Sequence, residues 1–205
     1  MLQDMSYSQF TSIGKVKEAF GLKTQEGGRF IPILEKIEPS VTLKAYLEES
    51  LPLAGSASEK ARSEGIIYPV LLEVRRILNR QISLFSGEDF TVDESVGLNG
   101  ICDFLLSSSP EVLEIEAPVM VIVEAKKADL RTGFGQCIAE MVAAQRFNAA
   151  KNNPLSFIYG VISSGTQWRF LKLEGDTVTI DLSDYPLPPV EDILGMLVWM
   201  MKNGR

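Results

Sequence analysis

The chain has 205 residues, no histidine and a formal net charge of −7. Hydrophobic residues at 45% and charged residues at 23% describe a folded domain rather than a disordered chain. The missing histidine excludes Ser-His and Cys-His nucleophile schemes, imidazole general bases and histidine-ligated zinc, which leaves carboxylate, lysine and hard-metal chemistry.

The acidic balance counts against a protein that coats nucleic acid nonspecifically, although a local basic patch is compatible with it. No apolar run reaches the roughly eighteen residues that span a bilayer, so no membrane partner is expected. The N-terminus lacks the basic-then-apolar order of a signal peptide. A cytoplasmic protein is therefore expected, with Cys102 and Cys137 reduced and buried.

Residues 1–54 read as an N-terminal helix/strand appendage. It comprises a short helix around VKEAFGL, the extended stretch RFIPILEKI after Gly27–Gly28, and a helix in VTLKAYLEES. Pro52 and the AGSAS tract mark a linker or cap, and residues 55–205 form the core with a C-terminal helix. Ser58 starts an amphipathic helix with Ile66, Val70, Leu71, Val74 and Leu78 at helical spacing, and Gly65 and Pro69 are expected to kink it. After Gly87 the period becomes that of strands, in EDFTVDES and GLNGICDFLLSS. VLEIEAP follows a Ser109–Pro110 turn. VMVIVEAKK then opens with the unbroken apolar run of a central strand buried on both faces.

An alanine-rich helix starts after Gly133. SFIYGVISS and TQWRFLKLEGDTVTIDL supply further strands, the latter folding back at Gly175–Asp176. EDILGMLVWMMKN is a closing helix, and Trp168, Phe170 and Trp199 read as core. The order predicts an α/β fold with a mixed central sheet flanked by helices. Gly133 and Gly135 do not make a dinucleotide loop, because charged residues separate them from the strand and no earlier βαβ unit leads into them.

Residues two apart on a strand share a face, so Glu124 and Lys126 project together from the end of the buried strand. Asp103, on the preceding strand segment, can be brought beside Glu124 by a hairpin-like arrangement. Two adjacent carboxylates repel, and a bound cation relieves that repulsion. Carboxylate oxygens, a backbone carbonyl and waters suit Mg²⁺, or Mn²⁺ in its place. Lys126 is placed to orient a water or to offset charge on a phosphorus centre.

An Asp, then a hydrophobic strand ending Glu-x-Lys, then a helix resembles the PD-(D/E)XK, restriction-endonuclease-like nuclease superfamily. The residues that carry the resemblance are GLNGICDF with Asp103 and VIVEAKK with Glu124 and Lys126. The helix start GQCIAEM, with Gln136 and Glu140 on one face, resembles the Gln-rich motif of many such nucleases. SSGTQWRFLKL is similar to a strand region in the N-terminal nuclease domain of type I restriction motor subunits. The likeness covers about residues 58–182 and departs from the pattern at Cys102, which stands where proline often precedes the Asp.

The resemblance implies a Mg²⁺- or Mn²⁺-dependent nuclease acting on DNA. Asp103 and Glu124 would be metal ligands and Lys126 the residue that positions water. Glu64, chosen over Glu59 and Glu73, would extend the metal shell, and Gln136 and Glu140 would support the site. Double-strand cutting would suit a homodimer, and a partner protein would supply the specificity that no segment here displays. The alternative is a nuclease-like fold serving as a non-catalytic nucleic-acid or protein interaction module, which the net charge favours. On the plainest reading, Glu124 to Lys127 are the solvated end of a strand, and Gln136, Glu140 and Glu64 are polar helix surface.

Overall fold

The computed structural model describes residues 6–204. In chain order its main elements are α1 (Ile13–Phe20), β1 (Lys23–Glu26), α2 (Val41–Ala54), α3 (Glu59–Arg62), α4 (Tyr68–Ile77), β2 (Ser83–Asp89), β3 (Ile101–Ser107), β4 (Val119–Ala125), α5 (Phe134–Ala150), β5 (Ile158–Ser163), β6 (Gln167–Glu174), β7 (Thr177–Ile180), β8 (Tyr185–Pro186) and α6 (Val190–Asn203). The strands form one eight-stranded mixed sheet in the order β1-β7-β6-β5-β4-β3-β2, with β8 paired to β6. The fold is mixed α/β, with helices on both faces.

The apolar run predicted to be central is β4, and all of its residues are buried. It runs antiparallel to β3 and parallel to β5. Alternate residues of β4 feed two cores. Val121, Val123 and Ala125 pack with residues of α2, α4 and α6, whereas Ile122 packs with residues of α1 and α5. The predicted turn at Gly175–Asp176 joins β6 to β7 in an antiparallel pair.

Several local expectations are corrected. RFIPILEKI forms no strand; the strand is the upstream segment Lys23–Glu26, which pairs in parallel with β7. Thus part of the N-terminal segment edges the main sheet. The edge strand beside β3 is Ser83–Asp89, earlier than EDFTVDES. Asp93 turns the chain there instead, its Oδ1 accepting the Ser95 N–H at 3.2 Å. VLEIEAP is irregular. Pro52 lies inside the last turns of α2, which continues to Ala54. A proline there removes one helical N–H bond, and the exposed Glu48 carbonyl four residues back can turn to water.

Ser58 caps α3 as expected, its Oγ accepting the Ala61 N–H at 3.2 Å. The expected kink is a π-helical segment over Ser63–Ile67 that joins α3 to α4 without interruption. Gly65 there lies against α2, where a Cβ would stand 2.9 Å from the Ala54 Cβ. Its carbonyl accepts the Ser50 hydroxyl at 2.7 Å.

Candidate strand-end active site

The β3–β4 register pairs Leu105 with Ile122 and Phe104 with Val123. One step further, Asp103 stands opposite Glu124, and Asp103 Oδ2 accepts the Ala125 backbone N–H at 2.8 Å. Side chains opposite each other on neighbouring strands share a face, so the two carboxylates are brought together as the sequence spacing suggested. Lys126, just beyond β4, donates its Nζ to Glu124 Oε1. The backbone of Lys126 is held as well, its N–H donating to the Ser163 carbonyl at 2.8 Å.

Burial sets the electrostatics. Glu124 is fully buried, and its Oε2 has no hydrogen-bond partner. Burial, then the charge of Asp103, pushes its carboxyl up to about 8. Burial also raises Asp103, while the Ala125 N–H and the Lys126 charge pull it back. Burial alone would lower the Lys126 ammonium, but Glu124 beside it prevails and holds it above its ordinary value. Lys126 is therefore a cation at neutral pH, fit to donate rather than accept.

Gln136 and Glu140 of α5 are one helical turn apart, and Gln136 Nε2 donates to Glu140 Oε1 at 3.0 Å. Glu140 is fully buried with Oε2 unpartnered, and burial followed by the Glu124 charge raises its carboxyl well above the ordinary range. The sequence placed this residue on the site's helix but did not show how deeply it is buried.

The three helix glutamates separate clearly. Glu59 is half-buried in the wall of an open cleft of about 560 Å³ that reaches Asp103, and its charge is felt at Asp103, Glu124 and Lys126. Glu64 lines the same cleft but is 69% exposed, 3.8 Å from the Lys60 ammonium. Glu73 lies elsewhere, bound to Arg76 and Ser40. Among the described residues, no three acidic, cysteine or histidine side chains converge as a metal-holding group.

Two contributors were not picked out from sequence. Arg62 donates to the Ser164 carbonyl at 2.9 Å, which ties α3, and with it Glu59, to the end of β5. Gly133 sits against the cluster, and a Cβ there would lie 3.0 Å from Ile162, 3.2 Å from Lys126 and 3.3 Å from Glu124. A glycine in the loop between β4 and α5 was the available signal, although it read only as a helix start. Trp168 and Phe170 are core, as expected, and Cys102 and Cys137 are free and buried.

No helix among the described residues is long and apolar enough to cross a membrane. No protein family, curated protein or solved structure matches the chain.

Proposed function

We propose that the protein is a divalent-cation-dependent hydrolase of nucleic-acid phosphodiesters, with DNA as the leading substrate, working at the end of β4. The observation that carries this reading is the Asp103–Glu124–Lys126 cluster beside an open cleft, with a buried Glu124 oxygen that no protein group satisfies. Buried polar atoms are normally paired, and an oxygen left open next to a second carboxylate suits a cation. The donor set fits Mg²⁺ or Mn²⁺, which take one or two carboxylates and complete their shell with water and phosphate oxygens. Asp103 and Glu124 would hold the ion, with Glu59 adding negative charge from the cleft wall and Glu64 at its exposed rim. Such an ion lowers the pKa of a bound water and neutralises charge on a phosphate.

The chain's own groups account for the rest. The Ala125 N–H fixes Asp103, so its remaining oxygen faces a constant position. Lys126, kept charged, donates toward water or toward the oxygens that gain charge as the phosphorus is attacked. Glu140, its carboxyl held above the ordinary range by burial and then by the Glu124 charge, is kept in place by Gln136. This reading is the one that the PD-(D/E)XK resemblance of the sequence implies.

The test is cleavage of plasmid and single-stranded DNA with Mg²⁺ or Mn²⁺, comparing the parent with Lys126→Ala. Cutting by the parent that is lost in the variant supports the reading, and equal cutting by both overturns it. One observation favours the second reading, a nuclease-like fold that binds nucleic acid or protein without cutting: among the described residues, no three acidic side chains converge as a metal-holding group. Absence of cutting, together with Mn²⁺ binding unchanged in Asp103→Ala, would establish that alternative.

A further inference from the structure

A groove of about 710 Å³ runs along α4, with Tyr46 of α2, Tyr68, Leu72 and Arg75 of α4, and Arg80 beyond it among its lining residues. It neighbours the cleft at Asp103, since Tyr68 and Glu64 line both. The ten residues of α4 make a helix about 15 Å long beside it.

Two properties of its surface point to a ligand. First, it exposes Tyr46, Tyr68 and Leu72 by 47%, 38% and 45%, an aromatic and apolar strip outside the core. The Tyr68 ring lies 6.4 Å from that of Phe104, and Tyr68 also lines the cleft that Asp103 lines, which sets the strip beside the mouth of the site. Second, its free charge is positive, although the chain as a whole is acidic. Arg76 is matched by Glu73, and Glu64 faces Lys60. Arg75 and Arg80 form no ion pair among the described residues. Arg75 is braced by Nε donating to the Ile82 carbonyl at 3.0 Å, which leaves its terminal nitrogens available.

We propose that this groove carries an unpaired nucleic-acid strand into the Asp103–Glu124–Lys126 site, with bases stacked on Tyr46 and Tyr68 and phosphates held by Arg75 and Arg80. The proposal rests on the phosphodiester reading of that site. A duplex hides its base faces and would meet the groove only through phosphates, which gives exposed rings nothing to bind. An unpaired strand offers a flat face at every base, and stacking on aromatic side chains beside a cationic track is how such strands are gripped without regard to sequence.

The experiment measures binding to the full chain in EDTA, so that no cutting occurs. Fluorescence anisotropy follows a labelled single-stranded DNA, the matching RNA and the matching DNA duplex across a salt series. The DNA and RNA arms report which sugar the groove takes. The parent is expected to bind a single strand at least about tenfold more tightly than the duplex. Tyr46→Ala and Tyr68→Ala should each weaken single-strand binding about tenfold, while Tyr68→Phe retains it. Arg80→Gln should flatten the salt dependence by about one unit of slope. Unfolding midpoints equal to the parent's confirm that the variants are folded.

Equal affinity for duplex, or tyrosine-to-alanine variants that bind like the parent, would overturn the groove. The two readings fail separately. Single-strand binding that depends on the tyrosines, without metal-dependent cutting, removes the hydrolase and keeps the groove. Cutting of duplex that is indifferent to Tyr46 and Tyr68 removes the groove and keeps the hydrolase.

Discussion

Two carboxylates, buried to similar depth, are treated in opposite ways. Glu73 at the α2–α4 contact is 5% exposed and fully partnered. Its oxygens accept from Arg76 at 2.6 and 2.8 Å and from the Ser40 backbone and hydroxyl at 2.7 and 3.0 Å. The Arg76 guanidinium outweighs burial and holds the Glu73 carboxyl below its ordinary range. Glu124, completely buried, has a single lysine partner and an open oxygen, and its carboxyl is pushed up. Asp181, also buried, follows Glu73, with one oxygen taking the Ser183 N–H at 2.8 Å and the other the Tyr185 hydroxyl at 2.6 Å. A carboxylate that joins elements is saturated by the protein. One left unsaturated costs stability and needs another reason to be there.

The sharpest way to break this contrast is to change both kinds of site. Glu124→Gln and Lys126→Ala are each expected to lower metal-dependent cleavage by on the order of 10²- to 10⁴-fold. The same nicking assay should show no effect of Glu73→Ala. If Glu73→Ala abolished cutting in a folded protein, the distinction between joining and working carboxylates would be lost.

Gly133→Ala tests how tightly the cluster is packed. Its Cβ would press on Ile162, Lys126 and Glu124, so cleavage should fall roughly ten- to a hundredfold. Denaturant unfolding should show a cost of about 1–3 kcal/mol from overpacking. Glu73→Ala should show the reverse balance, losing about 1–3 kcal/mol of stability through its broken hydrogen bonds at unchanged cleavage rate.

The pH dependence separates the two regions further. Glu124 and Glu140 have carboxyls raised in the folded protein, so the fold holds protons that the unfolded chain releases. The Glu124 contribution is complete below about 4.5 and is lost as pH rises toward about 8, and the Glu140 contribution falls in the same direction. Thermal unfolding in EDTA should therefore show a midpoint that falls across that window. Glu140→Gln should flatten the fall, because an amide has no proton to lose. Glu73 has the opposite sign, since its lowered carboxyl stabilises at neutral pH and that contribution is lost as pH drops through the acid range. A parent midpoint that rose from pH 5 to pH 8 would contradict the assignment of Glu124 and Glu140 as the dominant buried acids. The smallest effect is expected at Ser58, where alanine removes only the α3 cap, worth about 1 kcal/mol by denaturant unfolding.

Much of the site was legible because local rules cover it. A β-branched run such as VMVIV favours a strand covered on both faces, and the two-residue period of a strand puts Glu124 and Lys126 on one face. The Ser58 cap, the helical irregularity around Gly65 and the turn at Gly175–Asp176 likewise depend on a few neighbouring residues. Strands at the sheet's edges were less legible. Lys23–Glu26 has no apolar alternation, and it is a strand because β7, distant in sequence, offers it a free edge. RFIPILEKI has apolar residues enough but no such partner, and Ile31 still reaches the core from irregular chain.

The amino-acid sequence by itself determined which elements hold the candidate site, because period, capping and turn preferences act over a few residues, and the absence of histidine is a matter of composition alone. Only the tertiary structure decided where each helix glutamate stands relative to it. The sequence reading preferred Glu64, whereas the fold leaves that side chain mostly in solvent, brings the charge of Glu59 to bear on Asp103, and saturates Glu73 at a helix contact. All three lie on the helical stretch from α3 to α4, and their difference is how that stretch is rotated against the sheet. That rotation is set by the π-helical segment at Ser63–Ile67, the Arg62–Ser164 tie and the packing of Gly65 on α2. The Arg62–Ser164 tie joins residues 102 apart in the chain, so no local pattern contains it.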